Sequence, residues 1–132
     1  MRRRTWGLAG AGLAAVVLGA GATAYAGDDG AASTAANKAT TLSLTAGPGS
    51  ALKYNKTRLR AKPGKVTIRF RNRSTSVPHN VEVEGKGVEK ETRIITNRRA
   101  SLSLNLKKGT YTFYCGVGNH RQAGMEGKLR VR

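Results

Sequence analysis

Six stretches of this chain alternate apolar and polar residues with a period of two, the pattern of a half-buried β-strand. Leu42 and Leu44 alternate with Thr41, Ser43 and Thr45. Val66, Ile68 and Phe70 alternate with Thr67, Arg69 and Arg71, and Val81 and Val83 with Glu82 and Glu84. Further on, Leu102, Leu104 and Leu106 alternate with Ser101, Ser103 and Asn105. Tyr111, Phe113 and Cys115 share a face opposite Thr112 and Tyr114, and Leu129 and Val131 alternate with Lys128, Arg130 and Arg132. Turn-forming residues separate these runs at Gly47-Pro48-Gly49, Pro63-Gly64, Gly85 to Gly87 and Lys107-Lys108-Gly109. A segment from Leu52 to Leu59, with poorer alternation, is expected to add a strand. No long helical pattern and no internal repeat competes. Six to eight short strands, each with one apolar face, predict an all-β sandwich of two sheets.

The 132 residues are enough for one domain after a leader. Aromatics make up only 5%, and the single Trp, Trp6, lies in the leader, so the core must rest on Val, Ile and Leu. Residues 1–26 read as an export signal. Arg2, Arg3 and Arg4 form a positive head, an uncharged stretch rich in Gly and Ala follows, and Ala24-Tyr25-Ala26 has the small-x-small form of a cleavage site. A retained membrane anchor is the alternative, since the stretch is long enough to span a bilayer. Residues 27–39 are small and polar and read as a flexible linker. The domain proper is expected over 40–132. Export places the protein outside the cytoplasm, in a periplasm or at the cell exterior.

The formal net charge is +17. Such a surface either attracts an acidic protein partner, an anionic membrane or an anionic cell-wall polymer, or is a solvated face that only keeps the protein soluble. Nucleic acid is not expected, because the chain reads as exported and carries no nucleic-acid motif. The period-two pattern also places the charge. Arg69, Arg71 and Arg73 should project from one strand face, and Lys56, Arg58, Arg60 and Lys62 share a parity.

Cys115 is the only cysteine and cannot form an internal disulfide, and an unpaired thiol in an oxidising compartment calls for an explanation. A buried inert thiol is one explanation and metal ligation another. Cys115 ends an apolar strand. His120 follows after four intervening residues and Met125 after four more, in a glycine-rich loop that can fold back on itself. His79, the only other histidine, follows Val77-Pro78 before a further strand. Thiolate, two imidazoles and a thioether suit copper: His2Cys in a trigonal plane with a weak axial Met is the electron-transfer type of site. A binuclear copper site would need a second Cys, a multicopper oxidase would need more His, and Met is a poor zinc ligand.

Residues 40–132 thus resemble the plastocyanin and azurin family of cupredoxins. The resemblance rests on Cys115, His120 and Met125 in the ligand loop and on Val77-Pro78-His79-Asn80 upstream. Phe70-Arg71-Asn72 and the closing Gly124-Met125-Glu126-Gly127 add to it. It implies a Greek-key β-sandwich with one copper ion at one end, held by His79, Cys115, His120 and Met125. It further implies that Asn80 pins the Cys loop through its side chain. Plastocyanins usually have two residues between Cys and His, and the four found here are closer to azurin and to sulfocyanin-like forms.

The function expected from the resemblance is that of a monomeric, non-enzymatic carrier of single electrons between redox proteins. Its port would be His120, ringed by Val117, Ala123, Gly124, Val77 and Pro78. Tyr114 is the rival exit, and Arg121 is expected to select acidic partner rims. Two alternatives remain open at this point. One is a copper carrier or buffer without redox turnover, and the other is a basic cell-surface binding domain with a structural copper.

Overall fold

A computed structural model describes residues 38–132. The expected export signal, and the linker up to residue 37, lie outside the described residues. Among the described residues no helix is long and apolar enough to cross a membrane.

Eight strands form: β1 (Thr40–Ala46), β2 (Arg58–Ala61), β3 (Gly64–Asn72), β4 (Glu82–Gly85), β5 (Val88–Glu91), β6 (Arg99–Leu106), β7 (Gly109–Tyr114) and β8 (Glu126–Val131). They divide into a three-stranded sheet, β1-β3-β6, and a five-stranded sheet, β2-β8-β7-β4-β5. Both sheets are mixed, because β1 runs parallel to β3 and β2 parallel to β8. This is the all-β sandwich that the alternation predicts.

The period-two pattern becomes the burial pattern. Val66, Ile68 and Phe70 of β3 point inward with Leu102, Leu104 and Leu106 of β6, while Arg69, Arg71 and Ser103 point out. From the other sheet, Val83, Tyr111, Phe113, Leu129 and Val131 close the same core. Each such side chain, fully removed from water, contributes about 1.5–3 kcal/mol. Tyr54 joins the two layers near the site. Its ring meets Phe70 edge-on at 6.0 Å between centroids and lies tilted against Phe113 at 5.6 Å.

Two local expectations change. The strand sought over Leu52 to Leu59 is displaced toward the C-terminus. Tyr54 makes only an isolated bridge to Ala46, and the strand begins at Arg58, where the chain can pair with β8. The second change is β5. It carries no apolar alternation, with Val88 half-buried and the rest exposed, and is a strand because its backbone pairs with β4 across a tight turn.

The registers give the sandwich two distinct ends. β3 and β7 finish, and β4 and β8 begin, at one end. The candidate ligands all fall on connections at that end. β1 begins, and β2 and β8 finish, at the other.

Candidate metal centre

His79 lies in the β3–β4 connection, in a backbone held on both sides. Its N–H donates to the Ile95 carbonyl (3.0 Å), and Ile95 N–H donates back to the His79 carbonyl (2.9 Å). The chain leading to it is fixed by Asn72, a fully buried side chain at the end of β3. Asn72 Nδ2 donates to the carbonyls of Val77 (2.8 Å) and Ile95 (2.7 Å), and its Oδ1 accepts from Ser74 N–H (2.9 Å). Ser74 Oγ in turn accepts from Val77 N–H (2.9 Å). A polar side chain is tolerated in such a place only when its hydrogen bonds are met, as they are here.

The β7–β8 connection carries the other three residues. Cys115 N–H donates to the Met125 carbonyl and Met125 N–H to the His120 carbonyl, each at 3.0 Å. The loop closes through successive turns, with Ala123 N–H on the Asn119 carbonyl and Gly124 N–H on the Arg121 carbonyl. Gly124 sits at φ +99°, a backbone conformation that favours glycine. The loop thereby returns Met125 beside Cys115 before β8 begins.

Three donor atoms converge. His79 Nδ1 and His120 Nδ1 are 3.2 Å apart, and Cys115 Sγ lies 3.8 Å from the first and 3.5 Å from the second. The point equidistant from all three is about 2 Å from each, which is the length of a metal–nitrogen bond. The triangle is therefore the right size for one metal ion in its plane. Met125 is fully buried next to these donors, as are Cys115 and His79, whereas the His120 ring is half-exposed. The set admits one ion, closed to water on all sides but one.

The electrostatics favour a neutral imidazole and a metal-bound sulfur. Burial and the neighbouring His120 ring lower the pKa of His79 to about 4, so its ring stays neutral and keeps a lone pair for a metal. Burial pushes the Cys115 thiol above its ordinary value. Backbone N–H groups of Asn80 and Val117 oppose that by favouring the thiolate, and Glu82 adds to the rise. A bound cation would supply the missing positive charge.

Asn80 lies against the Cys loop. Its Oδ1 accepts from Gly116 N–H at 2.8 Å, and its Nδ2 donates to Glu82 Oε1 and Glu91 Oε2, both at 3.1 Å. The Tyr54 hydroxyl donates to the Asn80 carbonyl at 2.6 Å. Glu82 packs against Gly116, where any β-carbon would collide with its carboxylate. Ser74, Tyr54 and Glu82 support the site without having been singled out from the sequence, and Asn72, noted there only as part of a family-like phrase, proves to anchor the His79 loop.

Val77 and Val117 are half-buried, and Pro78, Ala123 and Gly124 are exposed, on the two connections that carry the histidines. Arg121, expected to face a partner, also pairs within the domain. Its guanidinium contacts Glu84 Oε1 at 2.6 Å and Glu126 Oε2 at 3.1 Å, and lies over the Tyr114 ring at 3.9 Å. This clasp fastens the ligand loop to β4, β7 and β8, and it covers Tyr114, which is 9% exposed.

The profile of the cupredoxin-like domain matches residues 13–131. The chain belongs to the cupredoxin family. Among solved structures, auracyanin A, a "blue" copper protein from the green thermophilic photosynthetic bacterium Chloroflexus aurantiacus, is similar. It is 26% identical with a TM-score of 0.63, over 71% of this chain and 99% of that one. Reduced auracyanin from Roseiflexus castenholzii is 21% identical with a TM-score of 0.64, over 70% of this chain and 97% of that one. Reduced rusticyanin is 21% identical with a TM-score of 0.59, over 72% and 80%. No curated protein matches the chain in sequence. As a cupredoxin this chain takes one copper ion; His79, Cys115 and His120 converge at a spacing that fits it, and Met125, buried and backbone-paired with Cys115, brings the thioether that suits it.

Proposed function

We propose that this cupredoxin is an exported carrier of single electrons, not an enzyme, with copper held by His79, Cys115, His120 and Met125. The observation that carries the reading is the donor triangle, sized for one metal and buried except at the His120 ring. Bound copper supplies the one-electron Cu(I)/Cu(II) couple. The protein's own part is to hold the donors still. His79 is fixed by Ile95 and Asn72, and Cys115 and Met125 by each other's backbones, so a change of charge moves them little. Burial of His79, Cys115 and Met125 keeps water from the sulfur, and the partly exposed His120 ring is the path by which an electron reaches the surface. Small residues around it, Ala123 and Gly124 among them, permit close approach. The partner this reading favours is an acidic redox protein, drawn by the excess of Lys and Arg.

The test is to add Cu(II) to the purified protein and record its visible spectrum. An intense blue band from sulfur-to-copper charge transfer is expected, and it should vanish in Cys115→Ser. A colourless wild-type complex, or a serine variant that stays blue, would defeat the assignment. Fast electron self-exchange then separates a carrier of electrons from a carrier of copper, which would instead release the ion readily to an acceptor.

A further inference from the structure

Charge is segregated on this domain. Every carboxylate side chain among the described residues lies on β4, β5 or the first residue of β8: Glu82, Glu84, Glu89, Glu91 and Glu126. The ion pairs among the described residues all involve Arg121, at the metal end.

Beyond Glu126 the outer face of β2 and β8 carries cations and no acid, as does that of β3 and β6, where Arg71 faces Arg99. The parallel register of β2 and β8 sets Arg58 opposite Lys128 and Arg60 opposite Arg130. All four are exposed, and no described carboxylate pairs with any of them. Like charges directly opposite each other destabilise a sheet. The stripe runs on past the strand ends to Lys62 and Arg132, which line a groove of about 530 Å³ with Arg60 and Lys38. This is the pole away from the metal. β8 starts beside Met125 and ends beside Arg132, a span on the order of 20 Å. The chain enters the domain at this same pole, where Lys62 N–H meets Thr40 Oγ1 at 3.4 Å. The segment preceding it in the sequence contains the uncharged stretch from Thr5 to Gly27.

We propose that the β2–β8 stripe is a docking surface for anionic lipid headgroups, which lays this edge of the five-stranded sheet on a bilayer and leaves the His120 end free for a partner. Two observations converge on lipid. A two-by-two array of exposed cations on one sheet face complements a plane of phosphates. The described chain begins at the pole where the array ends, and the uncharged stretch Thr5 to Gly27 lies only a linker's length earlier in the sequence, so a bilayer that retained that stretch would lie within reach of the array. An extended soluble polyanion would use the same charges but would draw no benefit from that placement. The inference does not depend on copper.

The full chain is titrated with vesicles of phosphatidylcholine alone and with vesicles that also contain phosphatidylglycerol. The anionic lipid should strengthen binding, and salt should weaken it. Each cation at a membrane surface accounts for about a fivefold change in affinity. The quadruple variant R58Q/R60Q/K128Q/R130Q should therefore lose on the order of several-hundredfold. A second quadruple variant, R69Q/R71Q/R73Q/R99Q, removes the same charge mainly from the outer face of the other sheet and should lose no more than about fivefold. Should the first variant fold poorly, K62Q/R132Q, which lies outside the strands, should still lose about 25-fold. Equal losses in the two quadruple variants would overturn the proposal. So would indifference to phosphatidylglycerol, or tighter binding to soluble polyglycerol phosphate than to the vesicles.

Discussion

Gly127 offers a sharp test of how the core holds the metal end, because two unrelated contacts forbid a side chain there. It pairs with Phe113 across β7 and β8. A β-carbon built on Gly127 would meet the Phe113 ring, with Cε1 at 2.7 Å, and the Thr57 carbonyl oxygen at 2.5 Å. The ring is fully buried at the centre of the core and has no room to turn. The carbonyl is backbone, and it accepts the Lys128 N–H at 2.9 Å, a bond that helps tie β2 to β8. Overpacking of this kind costs about 1–3 kcal/mol. Weakening the Thr57 bond adds about 1 kcal/mol. Alanine also restricts the unfolded chain, which offsets about 0.4–1 kcal/mol. Gly127→Ala should therefore destabilise the protein by about 1–3.5 kcal/mol. For a domain of this size that corresponds to a fall in melting temperature of roughly 5–25 °C. Urea and thermal unfolding of the metal-free protein, followed by circular dichroism, measure it. Gly124→Ala is the control, since a β-carbon there meets nothing within 4 Å and only the φ of +99° resists it. That strain should cost about 1 kcal/mol. If Gly127→Ala melts with the wild type, or does less damage than Gly124→Ala, the packing argument fails.

Met125→Gln should retain copper and lower the reduction potential, because a harder oxygen donor favours Cu(II); voltammetry of the loaded protein would show an unchanged potential if the reasoning is wrong. Ala123→Glu should slow electron self-exchange sharply by putting bulk and charge beside His120, while Tyr114→Leu should change it little. The reverse pattern in line-broadening measurements would move the exit to the strand. Electron transfer to an acidic partner should slow as salt rises, and replacing Arg69 and Arg71 with Gln should flatten that slope; a rate indifferent to salt in stopped flow would leave the charge without this role. The metal-free protein should lose stability as pH falls from 6.5 toward about 4. Unfolding releases His79 to take up a proton that burial denies it in the folded state. Urea midpoints that stay level across that window, after comparison with His79→Gln, would refute it.

What could be read in the sequence was whatever depends on spacing along one strand or on rare chemistry. The β3 and β6 alternation became the buried rows because a pleat converts period two directly into faces. The candidate ligands stood out because the chain has two histidines and one cysteine, so few combinations existed. What could not be read depends on which distant backbone a side chain meets. Asn72 and Ser74 are ordinary polar residues in sequence, and their role comes from a loop that returns to them. The pairing of Arg121 with Glu84, 37 residues away on β4, has no local signal either. β5 could not be found by alternation, because it is defined only by the strand it pairs with.

The bridge between His79 and Ile95 has a consequence for how a metal would be acquired. Cys115, His120 and Met125 lie on one short connection, but His79 is 36 residues upstream of Cys115 and is delivered only when the two sheets have closed. In an unfolded chain, drawing that fourth donor in would cost roughly 3 kcal/mol in loop closure alone. The folded sandwich has already met this cost, so a metal ion binds the native chain in preference and acts as a latch across its open end. Binding of the ion then adds to the stability of the closed sandwich, so the loaded protein should resist unfolding more than the metal-free one.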